Sequence, residues 1–131
     1  MTKPGGAAVR VLIVDDDPMI RGALREVLES ESDIEVIAEA GDAVEAVSLG
    51  ELHLPTVAVL DVRMTGGGGL LVARELSRRS PDTRLMVFSA YDDAGARQEL
   101  ARAGVRSYLI KGVSNREIVE TVRRLGAPGM Q

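Results

Sequence analysis

The sequence predicts an α/β fold built on a doubly wound parallel sheet of five strands. Short apolar runs rich in Val, Ile and Leu alternate five times with longer segments whose apolar residues recur at helical spacing. The runs are nearly continuous, which is typical of parallel strands that are covered by helices on both faces. The length of 131 residues fits one such domain with a sizeable core.

Five successive βα units with right-handed crossovers predict a flavodoxin-like (βα)5 sandwich, a five-stranded parallel sheet in the order 2-1-3-4-5. The predicted strands cover residues 9–14, 34–38, 57–60, 85–88 and 108–110. In this order the second strand lies at an edge of the sheet.

Capping residues mark the starts of three helices. Asp17 with Pro18 opens the first, while Asp42 and Ser114, each followed by Glu three residues later, form capping boxes. The first predicted helix begins after Asp17, and the fifth begins after Ser114. The second, third and fourth cover residues 42–49, 70–79 and 93–103. Leu100 is the only large apolar residue of the fourth helix, so we expect this helix to pack loosely and to be the most mobile.

The two ends of the chain are rich in Gly and Pro. We expect residues 1–8 to form a disordered leader, residues 9–125 the domain, and residues 126–131 a tail or the start of a linker. No segment reaches the ~18–20 apolar residues of a membrane span, and the N-terminus lacks the apolar centre of a signal peptide. These features predict a soluble, cytoplasmic protein without membrane contact.

The composition limits the chemistry that the chain carries. It has no cysteine and a single histidine, His53, which excludes a disulfide framework, a thiolate metal site and a site of several histidines. His53 stands beside Leu54 and Pro55, where we predict a loop and a structural role. The net charge of −4 predicts no direct nucleic-acid binding. Carboxylates are therefore the main source of chemistry.

Polar residues follow four of the five predicted strands. Asp15 and Asp16 end the first strand, Asp61 the third, Ser89 the fourth and Lys111 the fifth. In an open α/β sheet, ligands bind beyond the carboxyl ends of the strands, near the point where strand order reverses. We therefore expect these side chains to share one site.

The chemistry of this group indicates a metal and a phosphoryl group. Three carboxylates in one pocket repel each other unless a cation compensates them, and oxygen ligands without Cys or His favour Mg²⁺. Lys111 is suited to phosphoryl oxygens as a point charge, and Ser89 as a hydrogen-bond donor. Asp61 is the best candidate nucleophile, because the chain lacks Cys and Ser89 has no neighbouring base.

Simpler interpretations stand beside these. Asp17 is most simply an N-cap, Asp15 and Asp16 can be solvated turn residues, and Ser89 can be a loop hydroxyl. An isolated Lys111 would be surface charge. Of the 16 basic residues, however, 14 are Arg. The lysine at the end of the fifth strand, Lys111, is therefore an informative exception, because Lys and Arg are not interchangeable at a phosphate oxygen.

Four segments, in order, resemble a known family, the receiver domain of bacterial two-component response regulators. Its acidic-pair segment is similar to VLIVDDDPMIR, its phosphoacceptor segment to VAVLDVRM with Gly69 eight positions after the Asp, its hydroxyl segment to VFSA, and its switch-aromatic and lysine segment to YLIK. The resemblance covers residues 9–125. The stretch DIEVIAEAGDAVEAV further resembles the subgroup whose receivers precede a helix-turn-helix output domain.

The resemblance implies roles by position. Asp61 would accept the phosphoryl group from the phosphohistidine of a sensor histidine kinase. Asp16, Asp61 and the backbone carbonyl of Arg63 would bind Mg²⁺ directly, and Asp15 would act largely through a metal-bound water. The chain would be a signalling switch that regulates transcription through an output domain absent from it, and not an enzyme beyond its own phosphorylation and dephosphorylation.

The resemblance also implies the switch. Ser89 and Lys111 would move toward the phosphate, Tyr108 would turn inward, and the surface of the fourth helix, fifth strand and fifth helix would change its affinity for partners, including a homodimer partner. In this family, the residues two after the phosphoacceptor and two after the hydroxyl residue modulate hydrolysis. Here they are Arg63 and Tyr91, both large enough to obstruct an attacking water, so we expect slow autodephosphorylation.

One loop departs from the family pattern. Thr65 stands where the family usually has Pro, and four glycines, 66–69, follow it. No Gly-Lys-Ser/Thr comes next, so this is a flexible loop and not a phosphate-binding P-loop. Its extra backbone entropy predicts weakened affinity for metal or phosphoryl group.

Two other functions stay open. A small Mg²⁺-dependent phosphatase or phosphotransferase of the haloacid-dehalogenase type also uses an aspartyl nucleophile, and Asp15 with Asp17 satisfies its D-x-D start. Against it, Pro18 and a helix follow at once, and 131 residues leave little room for a substrate cap. The other is a receiver-like docking module that keeps the fold without the phosphorylation chemistry.

Overall fold

The computed structural model describes residues 9–64 and 68–127. Within these ranges, five strands alternate with five helices along the chain. Their bounds are β1 Val9–Val14, α1 Pro18–Glu29, β2 Ile34–Ala40, α2 Ala43–His53, β3 Val57–Leu60, α3 Gly68–Arg79, β4 Arg84–Ser89, α4 Ala94–Arg102, β5 Val105–Ile110 and α5 Asn115–Gly126.

The strands form one parallel sheet in the order β2-β1-β3-β4-β5, which confirms the predicted topology. Val14, the last residue of β1, lies beside Leu60, the last residue of β3, and Leu60 lies beside Val87 of β4. Because the register aligns the carboxyl ends of these strands, the residues that follow them emerge side by side at one edge.

Helices cover both faces of the sheet and make two apolar cores. On one face, Val11 and Ile13 of β1 pack in a cluster with residues of α1 and α5. On the other, Leu12 and Val14 pack in a cluster with residues of α2, α3 and α4. Burial on both faces explains why the strand sequences are apolar without alternation.

Two elements extend at one end by three residues or more beyond their predicted bounds. β5 begins at Val105 and not at residue 108, because an edge strand with one partner needs no continuous apolar run. α2 continues past residue 49 to His53, where Leu54 ends it in a left-handed conformation with φ 48°. His53 therefore closes a helix and does not lie in a loop, and its carbonyl accepts a hydrogen bond from Nη2 of Arg10 at 3.0 Å.

Glycines 68 and 69, assigned to a flexible loop from the sequence, are the first two residues of α3. Gly69 lies against the backbone of the residues that follow β3, where a Cβ would come 2.5 Å from the carbonyl oxygen of Asp61. This close approach explains the glycine and brings α3 near the end of β3. The loop prediction is therefore wrong for these two glycines.

α4 is the least buried helix, since Leu100 is its only buried residue. This confirms the loose packing that its sequence predicts, while its mobility stays a prediction. The predicted leader, Thr65 with the next two glycines, and residues 128–131 of the tail lie outside the described ranges. No helix in the described ranges has the length and hydropathy that a bilayer crossing requires.

Candidate functional site

The sheet itself positions the backbone of the candidate site. Past the end of β1, the Asp15 N–H donates to the carbonyl of Ala40 at 3.0 Å, and past β3 the Asp61 N–H donates to Val14 at 2.9 Å. At β5, the Lys111 N–H donates to the carbonyl of Ser89 at 2.8 Å. The hydrogen-bond ladder thus extends to the first residue beyond β1, β3 and β5.

Three carboxylates meet at this edge, as the sequence predicts. Oxygens of Asp15, Asp16 and Asp61 all lie within 4.8 Å of one another. Asp15 and Asp61 are 3% and 8% exposed, whereas Asp16 is exposed to solvent. A set of hard oxygen donors, partly buried and open on one side, fits Mg²⁺, which keeps several waters when bound.

Lys111 supplies a cation within this group. Its Nζ lies 2.9 Å from Oδ2 of Asp15 and 3.7 Å from Oδ2 of Asp61. Burial acts to lower the pKa of Lys111, but the hydrogen bond to Asp15 and the charges of both carboxylates outweigh it, and the pKa is raised. Lys111 is therefore charged at neutral pH, and it offsets only one of three negative charges.

Asp61 is the carboxylate of the site whose ionisation is disfavoured. Burial raises its pKa; Lys111 lowers it and Asp15 raises it, while hydrogen bonds from the Ser89 hydroxyl and the Arg63 N–H lower it. The net shift is upward from the ordinary value. A carboxylate that is costly to ionise gains most from a nearby cation, so this residue is suited to metal binding and to chemistry.

Asp17 and Arg21 flank the carboxylates without joining them. Asp17 caps α1, since its Oδ1 accepts the Met19 N–H at 2.9 Å, which confirms the simpler interpretation of this residue. Arg21 donates from Nη1 to the carbonyl of Asp15 at 2.6 Å and pairs with Glu39 at 3.2 Å. Arg21 is not predictable from the sequence, because nothing distinguishes it from the other arginines of the chain.

A second cluster lies beside the carboxylates, between the ends of β3, β4 and β5. The Arg63 guanidinium stacks on the Tyr91 ring, 3.7 Å from its centroid. The Tyr108 hydroxyl donates to the Tyr91 carbonyl at 2.6 Å, and the Arg97 guanidinium lies 4.3 Å from the centroid of the Tyr108 ring. The tyrosines and Arg63 are predicted site residues that the fold brings together.

Arg97 also belongs to this cluster, and the sequence does not predict it. Its contact with Tyr108 depends on how α4 packs beside β5, and no local pattern reports that packing. Ser89, fully buried, joins the same cluster through its Oγ, which accepts the Tyr91 N–H at 3.3 Å.

The sequence also matches a known family and its members. A sequence model of the family described as "Response regulator receiver domain" matches residues 11–123. The chain is 34% identical over 119 residues to the "DNA-binding transcriptional activator DevR/DosR" of Mycobacterium tuberculosis, covering 91% of this chain and 55% of that protein. It is 35% identical over 115 residues to the "Transcriptional regulatory protein LiaR" of Bacillus subtilis, covering 88% and 54%.

Solved structures agree with these relatives. The signal receiver domain of the putative response regulator NarL from Mycobacterium tuberculosis superposes with a TM-score of 0.87 at 32% identity, covering 92% of this chain and 97% of that one. A LuxR-family two-component response regulator from Aurantimonas superposes with a TM-score of 0.85 at 27% identity, covering 90% and 84%. The chain spans about half the length of the curated relatives that it matches.

Proposed function

Because this chain belongs to the family of response regulator receiver domains, we propose that it is a phosphorylation-dependent switch of a two-component phosphorelay, with Asp61 as the phosphoryl acceptor. The observation that carries the proposal is the convergence of three carboxylates and Lys111 at one sheet edge. The curated relatives are named as transcriptional regulators, and we extend that role to this chain, acting through an output domain.

The phosphoryl transfer assigns a task to each side chain. A carboxylate oxygen of Asp61 attacks the phosphorus of a phosphohistidine on a sensor histidine kinase; the new P–O bond forms as the P–N bond breaks, and the histidine nitrogen leaves with the electron pair. Lys111, 3.7 Å from Asp61, and the hydroxyl of Ser89 hold the transferred oxygens. The product is an aspartyl phosphate.

Mg²⁺ is the proposed cofactor, and when bound it neutralises the carboxylates and the phosphoryl oxygens. Asp16, Asp61 and the backbone carbonyl of Arg63 would hold it directly, and Asp15 through water. The clustered carboxylate oxygens and the uncompensated charge beside Lys111 support this assignment. Thr65 lies outside the described residues, so weakened affinity caused by its loop stays a prediction.

We also propose that phosphoryl loss is slow. The stack of Arg63 on Tyr91 joins the segments that follow β3 and β4, beside Asp61 and Ser89. In this proposal, the two large side chains obstruct a water that attacks the acyl phosphate. A phospho-Asp61 half-life of only seconds would rule the idea out.

The output is proposed to be the surface of α4, β5 and α5. Loose packing of α4, which buries only Leu100, supports this choice because a weakly held element is repositioned at low free-energy cost. Phosphorylation would move Ser89 and Lys111 toward the phosphate, favour the inward conformer of Tyr108 and change what this surface binds, including a second copy of the chain. We propose that this phosphorylation and the change in binding take place in the cytoplasm.

One experiment tests the central claim. The wild type and Asp61→Asn are incubated with Mg²⁺ and acetyl phosphate, and the intact mass is measured. An increase by one phosphoryl group on the wild type alone is expected, with Asp42→Asn, a substitution that keeps a helix cap, as the matched control.

The alternatives give different results. An adduct that requires Asp15 and not Asp61 would indicate a phosphatase. The structure already weakens that reading, because the Asp17 carboxylate caps α1. No adduct on any variant would contradict the switch and leave the docking module.

A further inference from the structure

Tyr108 is held at both ends of its side chain. Its hydroxyl donates to the carbonyl of Tyr91 at 2.6 Å, and its ring lies under the Arg97 guanidinium, 4.3 Å from the centroid. Arg97 in turn pairs with Asp92, Nε to Oδ1, at 2.6 Å. Arg97 therefore contacts two consecutive loop residues: Asp92 directly, and Tyr91 through Tyr108.

Arg97 is fixed where it stands by the start of α4. Asp93 caps the helix, and its carbonyl accepts the Arg97 N–H at 2.9 Å, so the backbone of Arg97 is held in the first turn of α4. α4 buries only Leu100 further along. The contact with Tyr108 is therefore an important tie between the start of α4 and β5.

The tied loop reaches the phosphoacceptor side of the molecule. The Tyr91 ring stacks on Arg63, which follows Asp61 by two residues, and the Tyr91 N–H donates to the buried hydroxyl of Ser89. A change in how firmly this loop is held must change how firmly the Arg63–Tyr91 stack stays in place. The contacts from Arg97 to Arg63 form one continuous series.

We propose that Arg97 is a positioning residue that fixes Tyr108 and, through the Tyr91 carbonyl, keeps the Arg63–Tyr91 stack closed beside Asp61. This rests on the proposed function, in which Asp61 carries a phosphoryl group, and it requires that Tyr108 keep its hydrogen bond to the Tyr91 carbonyl in that state. Arg97 touches none of the reacting atoms. Its effect is to reduce the fraction of time during which water reaches the acyl phosphate, and so to slow dephosphorylation.

The first test needs no phosphorylation. Tyr91 and Tyr108 are the two tyrosines of the chain, so their ring signals in the NMR spectrum are readily assigned with single Tyr→Phe variants. Arg97→Ala should shift the signals of both rings in the unphosphorylated protein. Arg102→Ala, which removes an exposed arginine from the last turn of the same helix, should shift neither.

The second test measures loss of the phosphoryl group after removal of acetyl phosphate. Arg97→Ala should shorten the half-life roughly two- to fivefold, the change expected when one exposed cation–π contact is lost from a conformational equilibrium. Tyr108→Phe should do the same by removing the hydroxyl bond. The double variant should be no faster than either single variant, since both substitutions break the same series of contacts.

The outcomes separate this inference from the proposed function. If Arg97→Ala moves the Tyr108 signals but leaves the Tyr91 signals and the half-life unchanged, the positioning role is wrong. Additive effects in the double variant would also overturn it. If the wild type forms no adduct, the proposed function fails, while unchanged or shifted Tyr91 signals still decide whether Arg97 holds the loop.

Discussion

Lys111 donates its hydrogen bond to Asp15 and not to Asp61: its Nζ lies 2.9 Å from the first carboxylate and 3.7 Å from the second. The cation is therefore shared unequally. Asp15 receives the close contact, and Asp61 receives only part of the compensation that its burial requires. This explains why burial prevails and the pKa of Asp61 is raised in spite of a lysine nearby.

Lys111→Met should raise the pKa of Asp61 further. The lysine charge is the largest influence that lowers this pKa, and methionine keeps most of the side-chain volume without the charge. Carboxyl-carbon NMR signals followed against pH, without divalent cations, measure the shift. Arg116→Met on α5, an exposed cation that pairs with Glu120 and not with the site carboxylates, is the control. An unchanged or lower pKa in Lys111→Met would show that the lysine does not compensate Asp61.

Asp61→Asn should be more stable than the wild type at pH 7 without Mg²⁺. The folded pKa of Asp61 lies above its unfolded value, so the stability that it contributes is full below the unfolded pKa and is lost as pH rises through the folded pKa. Asparagine has no such loss. Thermal unfolding should show a higher Tm for the variant at pH 7 and convergence of the two curves below about pH 4. A gap that widens in acid would contradict this sign.

Mg²⁺ should stabilise the wild type, and Asp16 should be needed for it. At tenfold above its Kd, a ligand that binds only the folded state adds about 1.4 kcal/mol to the free energy of unfolding. Asp16→Asn should weaken Mg²⁺ affinity by about tenfold or more, because it removes a charged ligand. Asp17→Asn removes the neighbouring charge but keeps the α1 cap, so its affinity should change little. Titration calorimetry measures the Mg²⁺ affinity of both variants. Equal losses of affinity would mean that Asp16 contributes only its negative charge and is not a ligand.

Two Gly→Ala substitutions should act in opposite directions. At Gly69 a Cβ would lie 2.5 Å from the Asp61 carbonyl oxygen, so Gly69→Ala must displace backbone and should cost about 1–3 kcal/mol. It should also slow phosphorylation, because the displaced backbone belongs to the phosphoacceptor. Gly22, exposed in α1 with nothing within 4 Å of a Cβ, should gain about 0.5–1 kcal/mol as Ala. Urea unfolding measures both, and a stabilised Gly69→Ala would show that the contact relaxes.

Much of the site is predictable because parallel strands end at one edge. The residues just after β1, β3 and β5, and Ser89 at the end of β4, needed only the topology to be brought together. The N-cap role of Asp17 is equally local, since Pro18 follows it. The extent of α2 was not predictable, because its inward face carries Gly50, which leaves no room for a Cβ against Leu76 of α3. Small residues that serve a tight helix contact do not produce an apolar stripe.

The sequence by itself determined the sheet order, the group of Asp15, Asp16, Asp61, Ser89 and Lys111, and the chemistry that oxygen ligands and one lysine permit. Each of these follows from the order of strands and from residues that stand immediately after them. Only the tertiary structure decided which carboxylate holds Lys111, and that Arg97 of α4 joins Tyr108, Tyr91 and Arg63 in one series of contacts. Those relationships depend on side chains from different elements meeting within a few ångströms, and that distance is set by how the helices pack on the sheet.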